Sequence, residues 1–130
     1  MNSSLLSNRQ PKSIEQSILD AKQKQISNEE LLVRILTTDF YLLCDKKVLN
    51  TKEIMLPLCI KINGQNYVCV FTKENWAKQY FNQEAIMIKL QSKKTLKLIP
   101  NNYGLIINPN QDASVKFTDF GIQNIIKDFL

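Results

Sequence analysis

The pair Asn63-Gly64 constrains the fold more than any other feature of the sequence, because it separates two apolar-rich segments. Both residue types tolerate the positive φ angles that a two-residue hairpin turn requires. Such a turn pairs Ile62 with Gln65 and thereby fixes the register of both strands. We therefore predict an antiparallel hairpin, with Cys59 on the face opposite to Cys69. The predicted strands are Met55–Ile62 and Asn66–Phe71, and the shared apolar face carries Leu58, Ile60, Ile62, Tyr67, Cys69 and Phe71.

Helix-capping residues and apolar side chains at helical spacing predict about five helices elsewhere in the chain. Ser13, with Gln16 three residues later, forms a capping box before the first helix, and Ser27 or Asn28 precedes the second. The other predicted caps are Thr72, Ser92 and Thr118. Short apolar runs predict further strands at residues 40–44, 84–90, 104–108 and 114–117, and the polar residues 45–53 are predicted to form a loop.

Strands and helices alternate in the second half of the chain, which indicates crossover connections and a sheet of mixed direction. We therefore predict a single compact α/β (α+β) domain over residues 13–130, with a mixed sheet of about five to six strands packed with about five helices. Residues 1–12 are polar and irregular, and we predict a flexible N-terminal segment there.

Two strands of the second half have distinctive patterns. The run AIMIKL, Ala85–Leu90, is nearly continuous in apolar residues and predicts a strand that is buried on both faces. The stretch YGLIINPNQ predicts a central strand that ends at Asn108-Pro109, because proline cannot donate a hydrogen bond to a sheet.

The composition bounds the location and the chemistry of the protein. No apolar run is long enough to span a bilayer, and the N-terminus lacks the apolar core of a secretory signal, so a cytoplasmic location is expected. The chain contains no histidine, which removes the commonest general base and metal ligand. Three cysteines without metal-type spacing and three scattered glycines predict neither a metal site nor a phosphate-binding loop. We expect no cofactor.

Several short motifs, taken in order, resemble the SseB protein N-terminal domain family. VFTKENW (Val70–Trp76) is similar to the family's hairpin end and its "FTS" helix start, and GLIINPN (Gly104–Asn110) is similar to its "GLVINPGS". The segment LLVRILTTDFYLLCD (Leu31–Asp45) is similar to the family's entry into the first strand. Lys73 replaces the family's serine, and Asn110 replaces its glycine. The resemblance covers residues 14–130, and it implies an α/β domain with no known cofactor and no assigned catalytic residue.

The candidate binding residues form three groups, and each group has a structural alternative. Trp76 and Tyr80 lie one helical turn apart and could anchor a partner or pack on the sheet. Asn108 and Pro109 could present a ligand-binding loop at a strand end or simply form a turn. The lysine group could bind phosphate or form a solvated surface, and its candidate residues are Lys89, Lys93 and Lys97.

Three functions are compatible with these features. The favoured one is a non-catalytic protein-interaction domain, an adaptor or accessory component of a larger bacterial assembly, which binds through the Trp76 helix or a sheet edge. An exposed edge strand would also allow a homodimer. The pI of 9.1 suggests nucleic-acid binding as an alternative, although only two of the 17 basic residues are arginine. A small enzyme using carboxylate or thiol chemistry is the third, with Cys44 activated by Lys46 or Lys47.

Overall fold

The computed structural model describes residues 12–49, 52–80 and 85–130, and for residues 46–49 and 52–56 it describes the backbone alone. Apart from Lys12, the predicted flexible segment 1–12 lies outside the described residues. The helices are α1 (Ile14–Lys22), α2 (Asn28–Ile35), α3 (Glu74–Lys78), α4 (Ser92–Leu98) and α5 (Asp119–Phe129). The strands are β1 (Asp39–Leu49), β2 (Lys52–Pro57), β3 (Cys59–Ile62), β4 (Gln65–Val70), β5 (Ala85–Gln91), β6 (Gly104–Ile107) and β7 (Val115–Phe117).

The described strands form two sheets that meet at a narrow seam. One sheet has the order β2-β1-β5 and is antiparallel, and the other has the order β3-β4-β6-β7, in which β4 and β6 are parallel. At the seam, Tyr41 and Phe71 exchange two backbone hydrogen bonds of 2.7 and 2.9 Å, and the Leu58 N–H donates to the Leu43 carbonyl. The predicted α+β class is confirmed, with the Asn63-Gly64 hairpin and with parallel as well as antiparallel strand pairs among the described residues.

The Asn63-Gly64 turn has the predicted conformation and register. Asn63 has a φ of 51° and Gly64 a φ of 83°. Ile62 pairs with Gln65, as the sequence predicts for a two-residue turn. Cys59 is exposed and Cys69 is buried, and both are free thiols.

The polar segment 45–53 was wrongly predicted to be a loop. Strand β1 continues to Leu49 and pairs with β2 as a second antiparallel hairpin. An antiparallel pair can leave side chains in water, so a polar composition does not by itself exclude a strand.

Three of the five predicted helix caps are confirmed. The hydroxyl groups of Ser13, Ser27 and Thr118 each accept a hydrogen bond from the backbone N–H three residues later, at 3.0 to 3.1 Å. The predicted caps Thr72 and Ser92 are wrong. Helix α3 begins at Glu74 after Lys73, and Ser92 is itself the first residue of α4. The Thr72 hydroxyl has a distant partner instead, as described below.

Two apolar clusters lie on opposite faces of the strands. The larger cluster is covered by helices α1, α2, α4 and α5, and its least exposed members are Ile18, Ile35, Phe40, Val70, Leu105, Ile107 and Ile122. The smaller cluster lies beneath α3 and consists of Leu43, Cys69, Phe71 and Ala77. All four residues of β6 are buried, which confirms it as a central strand.

Strand β5 is less buried than its apolar sequence predicts. The Lys89 side chain is exposed, and Ile86 has a relative solvent exposure of 37%. The prediction of burial on both faces was wrong because β5, within the described residues, pairs with β1 alone and lies at the edge of its sheet. No helix in the described part of the chain is long and apolar enough to cross a membrane.

Asp20 on α1 is a buried carboxylate with two hydrogen-bond donors. Lys12 Nζ donates at 2.8 Å and Gln16 Nε2 at 2.9 Å, and these bonds hold the pKa of Asp20 below its usual value. A carboxyl group whose pKa is lower in the folded state stabilises the fold above its unfolded pKa, and this contribution is lost as the pH falls through the folded pKa.

We expect Asp20→Asn to be less stable than the native protein at pH 6, and the difference to shrink below about pH 4. Urea unfolding at pH 6 and pH 3 measures this difference. Asp128→Asn, which removes the same charge from an exposed site at the end of α5, is the control. An Asp20→Asn deficit of equal size at both pH values would contradict the assignment.

Candidate functional site

The turn after β6 brings three of the predicted site residues together. Asn110 Nδ2 donates to the Tyr80 hydroxyl at 2.6 Å, and that hydroxyl donates to the Pro109 carbonyl at 3.4 Å. The Tyr80 ring also packs against Phe71, with 5.3 Å between ring centroids. Tyr80, which follows α3, therefore connects this helix by hydrogen bonds to the turn that begins at Asn108.

Asn108 lies at the centre of this arrangement and is completely buried. Its Oδ1 accepts from the Thr72 N–H at 2.8 Å, and its Nδ2 donates to the Thr72 hydroxyl and to the Ala113 carbonyl, each at 2.9 Å. Both amide protons of the side chain are used, and the backbone φ of 59° is one that asparagine tolerates. The side chain of Asn108 thus joins two turns of the chain and does not face a ligand cleft.

Trp76 also contributes to packing. It is partly buried, contacts both apolar clusters, and carries Lys73 Nζ 4.9 Å from the centroid of its ring. Because Trp76 is enclosed in this way, only part of the ring can reach a partner. The motif residues between Phe71 and Trp76 therefore hold α3 on the sheet.

The three candidate lysines do not form one patch. Lys89 Nζ lies 5.8 Å from the Tyr41 ring centroid, on the face of β5 that also carries Met87. Helix α4, which carries Lys93 and Lys97, packs on the opposite face. Lys93 borders a cavity of about 230 Å³, whose other lining residues are Leu36, Thr37, Thr38, Asp39 and Gln91.

The thiols show no sign of activation. Burial, and then the charge of Asp45, raise the pKa of Cys44. Burial raises the pKa of Cys69 to about 12 and also raises the pKa of Cys59. A reactive thiol requires the opposite shift, because the thiolate is the nucleophile. The side chains of Lys46 and Lys47, predicted to activate Cys44, lie outside the described part of the chain.

We expect Cys59 alone to react with a small disulfide reagent in the native protein at pH 8, because the sulfurs of the other two cysteines are buried. Cys59 should react more slowly than a free model thiol, because its raised pKa leaves less thiolate at this pH. Unfolding in guanidinium should release the two remaining thiols. Absorbance of the released chromophore counts them, and Cys59→Ser should abolish the native signal. Rapid native labelling at Cys44 would revive the thiol-enzyme alternative.

A groove of about 310 Å³ lies on the four-stranded sheet. The groove and helix α3 lie on the same side of the strands. Helix α3 covers Leu43, Cys69 and Phe71, which do not line the groove. Strands β3 and β6, the turn after β6 and strand β7 form the groove. Its lining residues are Lys22, Ile60, Ile62, Ile106, Pro109, Asn110, Ser114, Val115 and Lys116.

The groove combines an apolar lining with two lysines. Lys22 Nζ donates to the Asp112 carbonyl at 2.7 Å, and Lys116 Nζ lies 5.5 Å from the centroid of the Tyr67 ring. Within the described residues, neither lysine forms an ion pair with a carboxylate. Lys116 pairs with Ile106 across β6 and β7, which places a cation beside the apolar centre of the groove.

Among the residues that line the groove, only Pro109 is predicted from the sequence to bind a partner. The alternation of the hairpin did place Ile60 and Ile62 on one apolar face. Nothing local indicated that Ile106 and Lys116 would join them, because that depends on the parallel pairing of β4 with β6.

A family model described as "SseB protein N-terminal domain" matches residues 15–124, nearly the whole chain, and this range includes all three segments that suggested the resemblance. No curated protein and no solved structure matches the chain.

Proposed function

Since the chain belongs to the SseB protein N-terminal domain family, we propose that this member is a non-catalytic protein-interaction domain. On this proposal it binds a segment of another protein in the groove on the four-stranded sheet. It acts as an adaptor or accessory component of a larger assembly in the bacterial cytoplasm.

The observation that carries the proposal is the composition and position of the groove. Its volume of about 310 Å³ is at the lower end of the range for small-ligand pockets, and Ile60 and Ile62 of β3 supply partly exposed apolar surface beside the nearly buried Ile106 of β6. A sheet face with apolar side chains and a few fixed polar groups suits the anchor residues of a protein partner.

The same contacts give less support to the alternatives. The raised pKa values of Cys44, Cys59 and Cys69 disfavour a thiol enzyme. The separation of Lys89 from Lys93 and Lys97 across the sheet disfavours a single track for a nucleic-acid backbone.

A photo-crosslinking amino acid at position 62 tests the proposal. We expect irradiation of cells that naturally make the protein to give a discrete crosslinked product from position 62. The matched position is Val33, which is 52% exposed on α2 and lies in the helical layer that covers the other face. The same products from both positions, or no discrete product from position 62, would contradict the proposal. Circular dichroism establishes that both labelled proteins are folded.

A further inference from the structure

Resting on the proposed function, we infer the chemistry of the partner: the groove binds a protein segment in which acidic side chains lie next to large aliphatic ones. The carboxylates would pair with Lys22 and Lys116, and the aliphatic side chains would contact Ile60 and Ile62, beside the nearly buried Ile106.

The charge of the groove supports an acidic partner segment. Among the described residues, the two lysines are the only charged side chains that line it, and neither has a carboxylate partner there. Complementary charge across an interface guides association and excludes wrong partners. A basic segment would therefore be repelled, and a neutral one would leave both cations without an anion.

Each of the two cations also has a contact within the protein. Lys22, in the last turn of α1, donates a hydrogen bond to the Asp112 carbonyl, and Lys116 Nζ lies 5.5 Å from the centroid of the Tyr67 ring. Ordering a long side chain on binding costs conformational entropy, so a lysine that these contacts already restrict loses less of it on pairing with a carboxylate.

The apolar lining distinguishes a protein segment from a nucleic acid. A single-stranded nucleic acid binds through cations together with exposed aromatic rings on which bases stack. None of the described residues that line the groove is aromatic, and Tyr67, which lies under Lys116, is only 5% exposed. Isoleucines, Val115 and Pro109 supply the apolar lining. Aliphatic side chains suit leucine or isoleucine from a partner better than they suit bases.

Selection from a random peptide library displayed on phage, with the intact protein as bait, tests the inference. We expect the selected peptides to be enriched in Asp or Glu beside Leu or Ile. A synthetic peptide of the selected sequence, followed by fluorescence anisotropy, should bind the double variant Lys22→Gln/Lys116→Gln about tenfold more weakly. Raising the salt concentration should weaken binding to the native protein.

Two further double variants control for charge and folding. Lys93→Gln/Lys97→Gln removes the same charge outside the groove and should bind within about twofold of the native protein. Lys22→Arg/Lys116→Arg keeps both charges and should bind nearly as tightly as the native protein. Thermal unfolding of every variant establishes that it is folded under the binding conditions.

The possible failures are distinguishable. Neutral or basic peptides that compete for the groove and bind the Lys22→Gln/Lys116→Gln variant unchanged would overturn the acidic partner but leave the proposed function intact. A library that yields no binder, together with no crosslink from position 62, would overturn both. Single-stranded RNA or DNA that displaces the peptide and loses affinity in the same variant would assign the groove to nucleic acid instead.

Discussion

Replacing Asn108 with alanine is expected to destabilise the protein by about 3–5 kcal/mol. The substitution removes three hydrogen bonds from a fully buried side chain and leaves the Thr72 N–H and the Ala113 carbonyl without this partner. Each buried group left unpaired costs about 1–3 kcal/mol. Alanine must also adopt a φ of 59°, which is unfavourable for a residue with a Cβ atom. Urea unfolding followed by circular dichroism measures the loss.

Two comparisons separate the causes. Asn108→Gly removes the hydrogen bonds but accepts the positive φ, so it should be about 1 kcal/mol more stable than Asn108→Ala. Asn110→Ala changes the same residue type at a φ of 65°, but at an exposed position with one side-chain hydrogen bond, and should cost about 1–2 kcal/mol. An Asn108→Ala loss no larger than that of Asn110→Ala would refute the structural role of the buried amide.

Replacing Gly104 with alanine is expected to cost about 3 kcal/mol or more. A Cβ atom at this position would overlap the Phe117 carbonyl oxygen on the neighbouring strand and would lie 2.6 Å from two carbon atoms of the Tyr67 ring. The carbonyl belongs to the paired backbone of β6 and β7, so it can move only if that pairing is disturbed. The melting temperature and the urea midpoint should both fall.

Gly121→Ala is the matched control for this substitution. Gly121 lies inside α5, and the nearest atom to its added Cβ is the Thr118 hydroxyl oxygen at 3.4 Å. Because glycine destabilises a helix interior relative to alanine, this variant should gain about 0.5–1 kcal/mol. If Gly104→Ala were as stable as the native protein, the close approach of β6 to Tyr67 and Phe117 would be incorrect.

The sequence predicted best those features that depend on neighbouring residues. The Asn63-Gly64 turn and the caps at Ser13 and Thr118 each require a partner within three residues, and the structure contains all of them. Thr72 shows the limit of this reasoning. It has the sequence context of a cap, yet its hydroxyl accepts from Asn108, 36 positions away.

The candidate site is harder to predict from the sequence, because it depends on contacts between residues that are distant in the chain. Trp76 and Asn108 stand out in the sequence as binding residues, but they are distinctive because packing and a turn require them. The groove depends on Ile106 and Lys116 lying next to Ile60, and this contact arises from pairing between strands that are distant in the chain. No local pattern marks such a site.

The buried amide of Asn108 has a consequence for the order of folding. Its two partners, Thr72 and Ala113, lie on either side of the crossover that carries the chain from β4 through α3, β5 and α4 to β6. The loop must close, at an entropic cost, before the amide can bond to both partners. Asn108, which belongs to the segment that resembles the family motif, can therefore form its full set of hydrogen bonds only after the crossover is complete.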